Sequence, residues 1–234
     1  MIKLGNTLGL VAALALFASC GNGSENKDVD NGDAAEMETQ TSQEEPAAGL
    51  LNPNLASEAE LTGAGLTAEV VAEVMAQRPF LTMTDLNTLL ATTLDSAQLA
   101  TLYGKLFVPM NLNTTPEDDF KIIPGVGNRM AHEFEEYRPY VKIAQFRKEI
   151  GKYVDEQEVA RLEQYIFVPV ELNTATAEEI LAIPGVGERM KHEFEEYRPY
   201  TSMEQFRKEI GKYVDDKELS RLERYVYLAE PTAE

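Results

Sequence analysis

Two short runs place glycines where backbone chemistry is available. They are Gly125-Val126-Gly127, followed by Arg129, and Gly185-Val186-Gly187, followed by Arg189. Two glycines one residue apart permit a tight turn and a close approach to the main chain. At the head of a helix such a turn aims N–H groups outward, where the helix dipole favours an anion. The chemistry is recognition of phosphate without contact to a base. Lys191, Lys152 and Lys212 are auxiliary cations for the same purpose.

The other reactive side chains suggest less. His132 and His192 are the two histidines, and helical spacing sets His132 beside Glu136. Two ligands are too few for a metal site, so no metal is expected. Tyr137, Tyr140, Tyr197 and Tyr200 could stack on bases, but beside the prolines at helix ends they read as packing residues. Phe146, Ile150, Phe206 and Ile210 read as core, with solvated charges between them. No nucleophile elbow, phosphate-cradling P-loop or catalytic dyad is found, so the chain is read as a binding protein and not an enzyme.

The single cysteine, Cys20, has a different chemistry. Lys3 precedes an apolar stretch from Leu8 to Phe17, too short to span a bilayer, and Ala18-Ser19 then lead into the cysteine. The run Leu16-Phe17-Ala18-Ser19-Cys20 resembles the lipobox of bacterial lipoproteins. That resemblance implies a signal peptide over 1–19 and lipidation of Cys20. It also implies a cell-envelope protein anchored by its lipid to a bacterial membrane, on the periplasmic or surface-facing side. Residues 20–49 are polar and acidic and are expected to be a disordered tether.

The elements that must position the turns come from a repeat. Leu112–Val168 lies over Leu172–Leu228 without a gap, with more than half of the positions identical. A diverged copy precedes them. There Arg78-Pro79-Phe80 matches Arg138-Pro139-Tyr140, and Leu51-Asn52 is set against Leu112-Asn113 with one residue of slippage. The folded part is therefore expected to be three segments, 50–109, 110–169 and 170–230, all-α and without a substantial sheet. Thr176 with Glu179 forms a capping box, and Thr115 is placed to cap a helix with Pro116 at its first position. Helices are predicted over 188–197 and 203–210, with a further one capped by Asp215.

The segments Leu112-Asn113-Thr114…Ile123-Pro124-Gly125-Val126-Gly127-Asn128-Arg129 and Leu172-Asn173-Thr174…Ile183-Pro184-Gly185-Val186-Gly187-Glu188-Arg189 resemble the helix-hairpin-helix motif. With the trailing Arg-Pro-Tyr they are similar to its competence DNA-receptor (ComEA-type) branch. The resemblance implies three tandem units of that kind and duplex DNA bound without sequence preference. Phosphate contacts are implied from Gly125, Val126, Gly127, Gly185, Val186 and Gly187, assisted by Arg129 and Arg189. No cofactor is implied beyond a monovalent cation that the turn carbonyls can hold. The first segment has only Gly65-Leu66-Thr67 and is not expected to bind phosphate. A second turn per unit, around 150–154 and 210–214, lacks the paired glycines and offers Lys152 or Lys212.

Charge leaves two readings open. The chain carries 21 basic and 40 acidic side chains, a net −19, which repels nucleic acid and anionic lipid at long range. Each hairpin helix also carries Glu-Phe-Glu-Glu, at 133–136 and 193–196. One reading is DNA capture or uptake at the cell envelope. The other is a non-catalytic adaptor or scaffold binding an envelope protein, in a secretion or pilus-like assembly. The DNA reading predicts Arg129, Arg189, Lys152 and Lys212 gathered with the turns; the adaptor reading predicts turns ringed by glutamates.

Overall fold

A computed structural model describes residues 49–229. The signal sequence, Cys20 and nearly all of the expected tether lie outside the described residues. The described part is mostly helical. Helices α1 (Glu58–Ala64), α2 (Ala68–Gln77), α3 (Met83–Leu90) and α4 (Ser96–Leu102) lie in the first segment. The second has a 3-10 helix (Glu117–Ile122), then α5 (Asn128–Glu136), α6 (Ile143–Ile150) and α7 (Glu156–Glu163). The third has α8 (Ala177–Leu181), α9 (Glu188–Glu196), α10 (Met203–Ile210) and α11 (Asp216–Glu223). No described helix is long and apolar enough to cross a membrane.

Helices of two to three turns are marginal alone, so caps and packing must hold them. Ser57, Thr67, Thr82, Asp95, Asp155, Thr176, Ser202 and Asp215 each accept a hydrogen bond from a first-turn amide. Each such cap stabilises by about 1 kcal/mol. Inside, Phe120, Phe134 and Phe146 stack edge to face at 5.2 Å, and Phe194 meets Phe206 at 5.3 Å.

Short parallel pairs add what helical periodicity does not announce. β1 (Met110–Asn111) pairs with β2 (Ile166–Phe167), and β3 (Val170–Glu171) with β4 (Val226–Tyr227). Leu51 bridges Leu106 in the same sense. In every segment the entering chain is thus tied to the leaving chain. Two residues per strand are too few for an alternating pattern to register in the sequence.

A clasp fixes the chain around each Arg-Pro, whose peptide bonds are cis. Asn113 Nδ2 donates to the Tyr140 carbonyl while the Tyr140 amide donates to Asn113 Oδ1, at 2.8 and 2.7 Å. Asn173 with Tyr200 and Asn54 with Phe80 do the same. Arg198 donates to the carbonyls of Leu172 and Ala175 at 2.6 and 2.8 Å, and Arg138 to those of Leu112 and Thr115.

Three expectations are corrected. Asn54, not Asn52, is the counterpart of Asn113, and Leu51 is the counterpart of Met110. Thr115 does not cap: Pro116 stands at the N-cap where Thr176 stands in the third segment, and the 3-10 helix begins without a side-chain cap. The turn at 150–154 is a tight link whose outgoing helix is capped by Asp155, and Asp215 caps its counterpart. A carboxylate already stands at each of those helix starts, accepting from the amide of Glu158 and of Glu218.

Candidate functional site

The glycine turns lie between the 3-10 helix and α5, and between α8 and α9. Gly125 and Gly185 have φ of +83° and +80°, a left-handed conformation that glycine adopts without strain. Val126 and Val186 are buried, and their amides donate to the carbonyls of Ile123 and Ile183 at 3.0 Å. The phosphate contacts implied for these two valines therefore lack a free amide. Their part is to pin the turn to the core.

Gly127 and Gly187 differ from the glycines before them. Their φ values, −102° and −100°, suit any residue. A methyl group added to either would meet nothing within 4 Å. Each is an N-cap without a side-chain oxygen, in a chain that caps eight other helices with one. Among the described residues no oxygen accepts from the amides of Gly127, Asn128 and Arg129, nor from those of Gly187, Glu188 and Arg189. In the first segment Thr67 takes this place, and its hydroxyl accepts from Val70 N. One first-turn amide there is already capped by a side chain.

The cations are distributed unevenly. Arg129 is exposed, and its guanidinium lies over the Tyr153 ring at 5.6 Å. Tyr153 and Tyr137 share a hydroxyl–hydroxyl hydrogen bond of 2.8 Å, and Lys152 Nζ sits 4.8 Å above Tyr137. Arg129 and Lys152 therefore flank one tyrosine pair. Tyr197, Tyr213 and Lys212 repeat that arrangement, while Arg189 is exposed. Among the described residues neither Arg129 nor Arg189 has a carboxylate within 4 Å.

The auxiliary lysines have acidic partners. Lys152 pairs with Glu149, Lys212 with Glu209, and Lys191 with Glu188 at 2.8 Å. These hydrogen bonds hold all three ammonium groups above the ordinary lysine range, and they hold the Glu149 and Glu209 carboxyls below theirs. A glutamate thus stands beside each of these lysines, while Arg129 and Lys152 flank one tyrosine pair.

The tyrosines divide by depth. Tyr140 and Tyr200 are buried and cannot stack on a base, whereas Tyr137 and Tyr197 are half-buried. His132 stands 3.4 Å from Glu117 and 3.9 Å from Glu136, and His192 stands 3.5 Å from Glu196. Among the described residues no three His, Cys, Asp or Glu side chains are placed to hold a metal ion.

Sequence reasoning missed Arg161 and Arg221. Both reach back from the last helix of their segment to the left-handed glycine, and Arg221 Nη1 donates to the Pro184 carbonyl at 2.6 Å. The signal was their recurrence as Arg-Leu-Glu at 161–163 and 221–223, with Thr101 in the corresponding place of the first segment. No protein-family model, curated protein or solved structure matches the chain.

Proposed function

We propose that the chain is a cell-envelope lipoprotein anchored through Cys20, whose described part is three tandem helix-hairpin-helix units. It contacts the phosphate backbone of duplex DNA without reading sequence, and so serves DNA capture or uptake. The observation that carries this reading is Gly127, with Gly187 beside it. The fold does not need glycine there, since the backbone is ordinary and the space beyond is open. What glycine leaves at each position is an uncapped helix start with outward amides, to which a phosphate oxygen can come close. Arg129 and Arg189, free of carboxylate partners among the described residues, add charge beside those amides.

The test is fluorescence anisotropy of the full chain with a labelled duplex over a salt series, beside a Gly127→Val/Gly187→Val variant. Wild type is expected to bind with a negative salt slope, each neutralised phosphate contributing about 0.9. The variant, with helical content retained, is expected to lose that binding. Equal binding by the two proteins rules out the turns as the contact.

A second reading is favoured by the pairing of Lys152, Lys191 and Lys212 with glutamates and by the net charge of −19. In it the same turns meet an envelope protein as a non-catalytic adaptor. Absence of DNA binding at the lowest salt would select it.

A further inference from the structure

A cleft of about 250 Å³ opens where the three segments meet. Thr82 and Met83 line it from the first segment, Thr115 and Asp119 from the second, and Arg224 from the third. Two of these groups carry uncompensated charge. Arg224 stands just after α11, its guanidinium 5.5 Å from the ring centres of Phe167 and Tyr225. Its Nη2 donates to the Pro109 carbonyl at 2.8 Å, and among the described residues its buried Nη1 has no acceptor. Burial pulls this guanidinium below the ordinary arginine range. Asp85 adds a weaker favourable field, but its carboxylate accepts from the Thr82 amide. Asp119 is half-buried and accepts from the Thr84 hydroxyl at 3.4 Å. Among the described residues neither Arg224 nor Asp119 has an opposite charge within 4 Å, so the two do not pair with each other. Half-buried charges without partners are costly, and a ligand of opposite sign offsets that cost.

The repeat shows what stands in these places elsewhere. Gln164 follows α7 as Arg224 follows α11, and its neutral side chain accepts from the Leu50 amide. Glu179 is the counterpart of Asp119, and Lys142 pairs with it at 3.4 Å between the second and third segments. Lys142 stands just before α6, whereas the neutral Thr82 stands just before α3. One junction is therefore closed by an ion pair, and the other leaves its carboxylate open on the cleft. Thr114 and Thr115 also line the cleft, and among the described residues neither hydroxyl has a partner. Thr174, the counterpart of Thr114, instead donates to Glu171 at 2.9 Å. Met83, Met110 and Phe167 supply an apolar wall.

We propose that this cleft binds a small zwitterion of the amino-acid class with an apolar side chain. The ligand carboxylate takes donors of Arg224 that the protein leaves unused, its ammonium group goes to Asp119, and its side chain rests on the apolar wall. One cation and one anion on the same cleft select such a molecule. Asp119 repels a simple anion, and Arg224 repels a simple amine. A volume below about 300 Å³ is too small for a drug-sized ligand. The inference is independent of the DNA reading, because neither glycine turn contributes a residue to the cleft.

The experiment is isothermal titration calorimetry of the full chain with leucine, methionine and phenylalanine, each compared with the same molecule lacking its amino or its carboxyl group. Arg224→Gln and Asp119→Asn are measured beside wild type, with circular dichroism as the check on folding. Wild type is expected to bind at least one of the three amino acids about tenfold or more tightly than either analogue of it. Arg224→Gln, which installs the residue found after α7, is expected to weaken the amino acid about tenfold or more. Asp119→Asn is expected to bind the amine-free acid as tightly as the amino acid. Should Arg224→Gln lose helical content, the preference lost in Asp119→Asn decides alone. No binding of any of the three, equal binding of an amino acid and its amine-free analogue by wild type, or an unchanged preference in Asp119→Asn overturns the proposal.

Discussion

At the scale of single residues, the caps show how closely side-chain chemistry and position must agree. Thr176 accepts from Glu179 N, and the Glu179 carboxylate accepts from Thr176 N at 2.9 Å. That backbone hydrogen bond, opposed by some burial and aided by Lys142, holds the Glu179 carboxyl below the ordinary range. A depressed carboxyl stabilises the fold above its unfolded pKa of about 4.3, and the contribution is lost as pH falls through the lower folded value. Thr176→Ala is expected to destabilise by about 1 kcal/mol at neutral pH. Alanine keeps the backbone amide that holds Glu179, so the difference from wild type is expected to change little down to about pH 4, as read by urea denaturation at several pH values. Thr176 was legible in the sequence because Glu179 stands at the fixed capping-box distance. Thr115 was misread because nothing local says that Pro116 takes the N-cap and leaves the threonine one residue early. Arg161 and Arg221 recur in the sequence, but their role did not show there, since their partners in the turn lie more than thirty residues away, as with Pro184 for Arg221.

At the scale of elements, the clasp explains why Leu-Asn-Thr and Arg-Pro-Tyr recur together. Asn113 completes the hydrogen bonds of the Tyr140 backbone after α5 ends, and Arg138 completes those of the opening loop. Asn113→Ala removes two hydrogen bonds and strands the Tyr140 amide, so a loss of about 2–3 kcal/mol is expected in chemical denaturation. Asn52→Ala, which leaves the Asn54 clasp intact, is expected to cost less; an equal cost would contradict the register assigned here. Helix positions followed from apolar spacing, proline and glycine, as at α9 and α10. The two-residue parallel pairs did not, because their partners lie a whole segment apart and their length carries no period.

At the scale of the molecule, charge and burial pull against the turns. A net −19 opposes approach of a polyanion, so any DNA affinity must come from a few well-placed donors and must be steep in salt. The composition stated that conflict plainly. What it could not state is that one segment of the chain lies against another's turn, as Leu55 does at Gly185, because the contact joins positions far apart in sequence. The repeat made two turns look alike, and tertiary packing makes them different. The most direct test is an amide-resolved NMR titration of the full chain with a short duplex at low salt. The amides of Gly127, Asn128 and Arg129, and those of Gly187, Glu188 and Arg189, are expected to shift, and the shifts to collapse when salt is raised. Shifts confined to other surfaces, or none at all, would contradict the DNA reading.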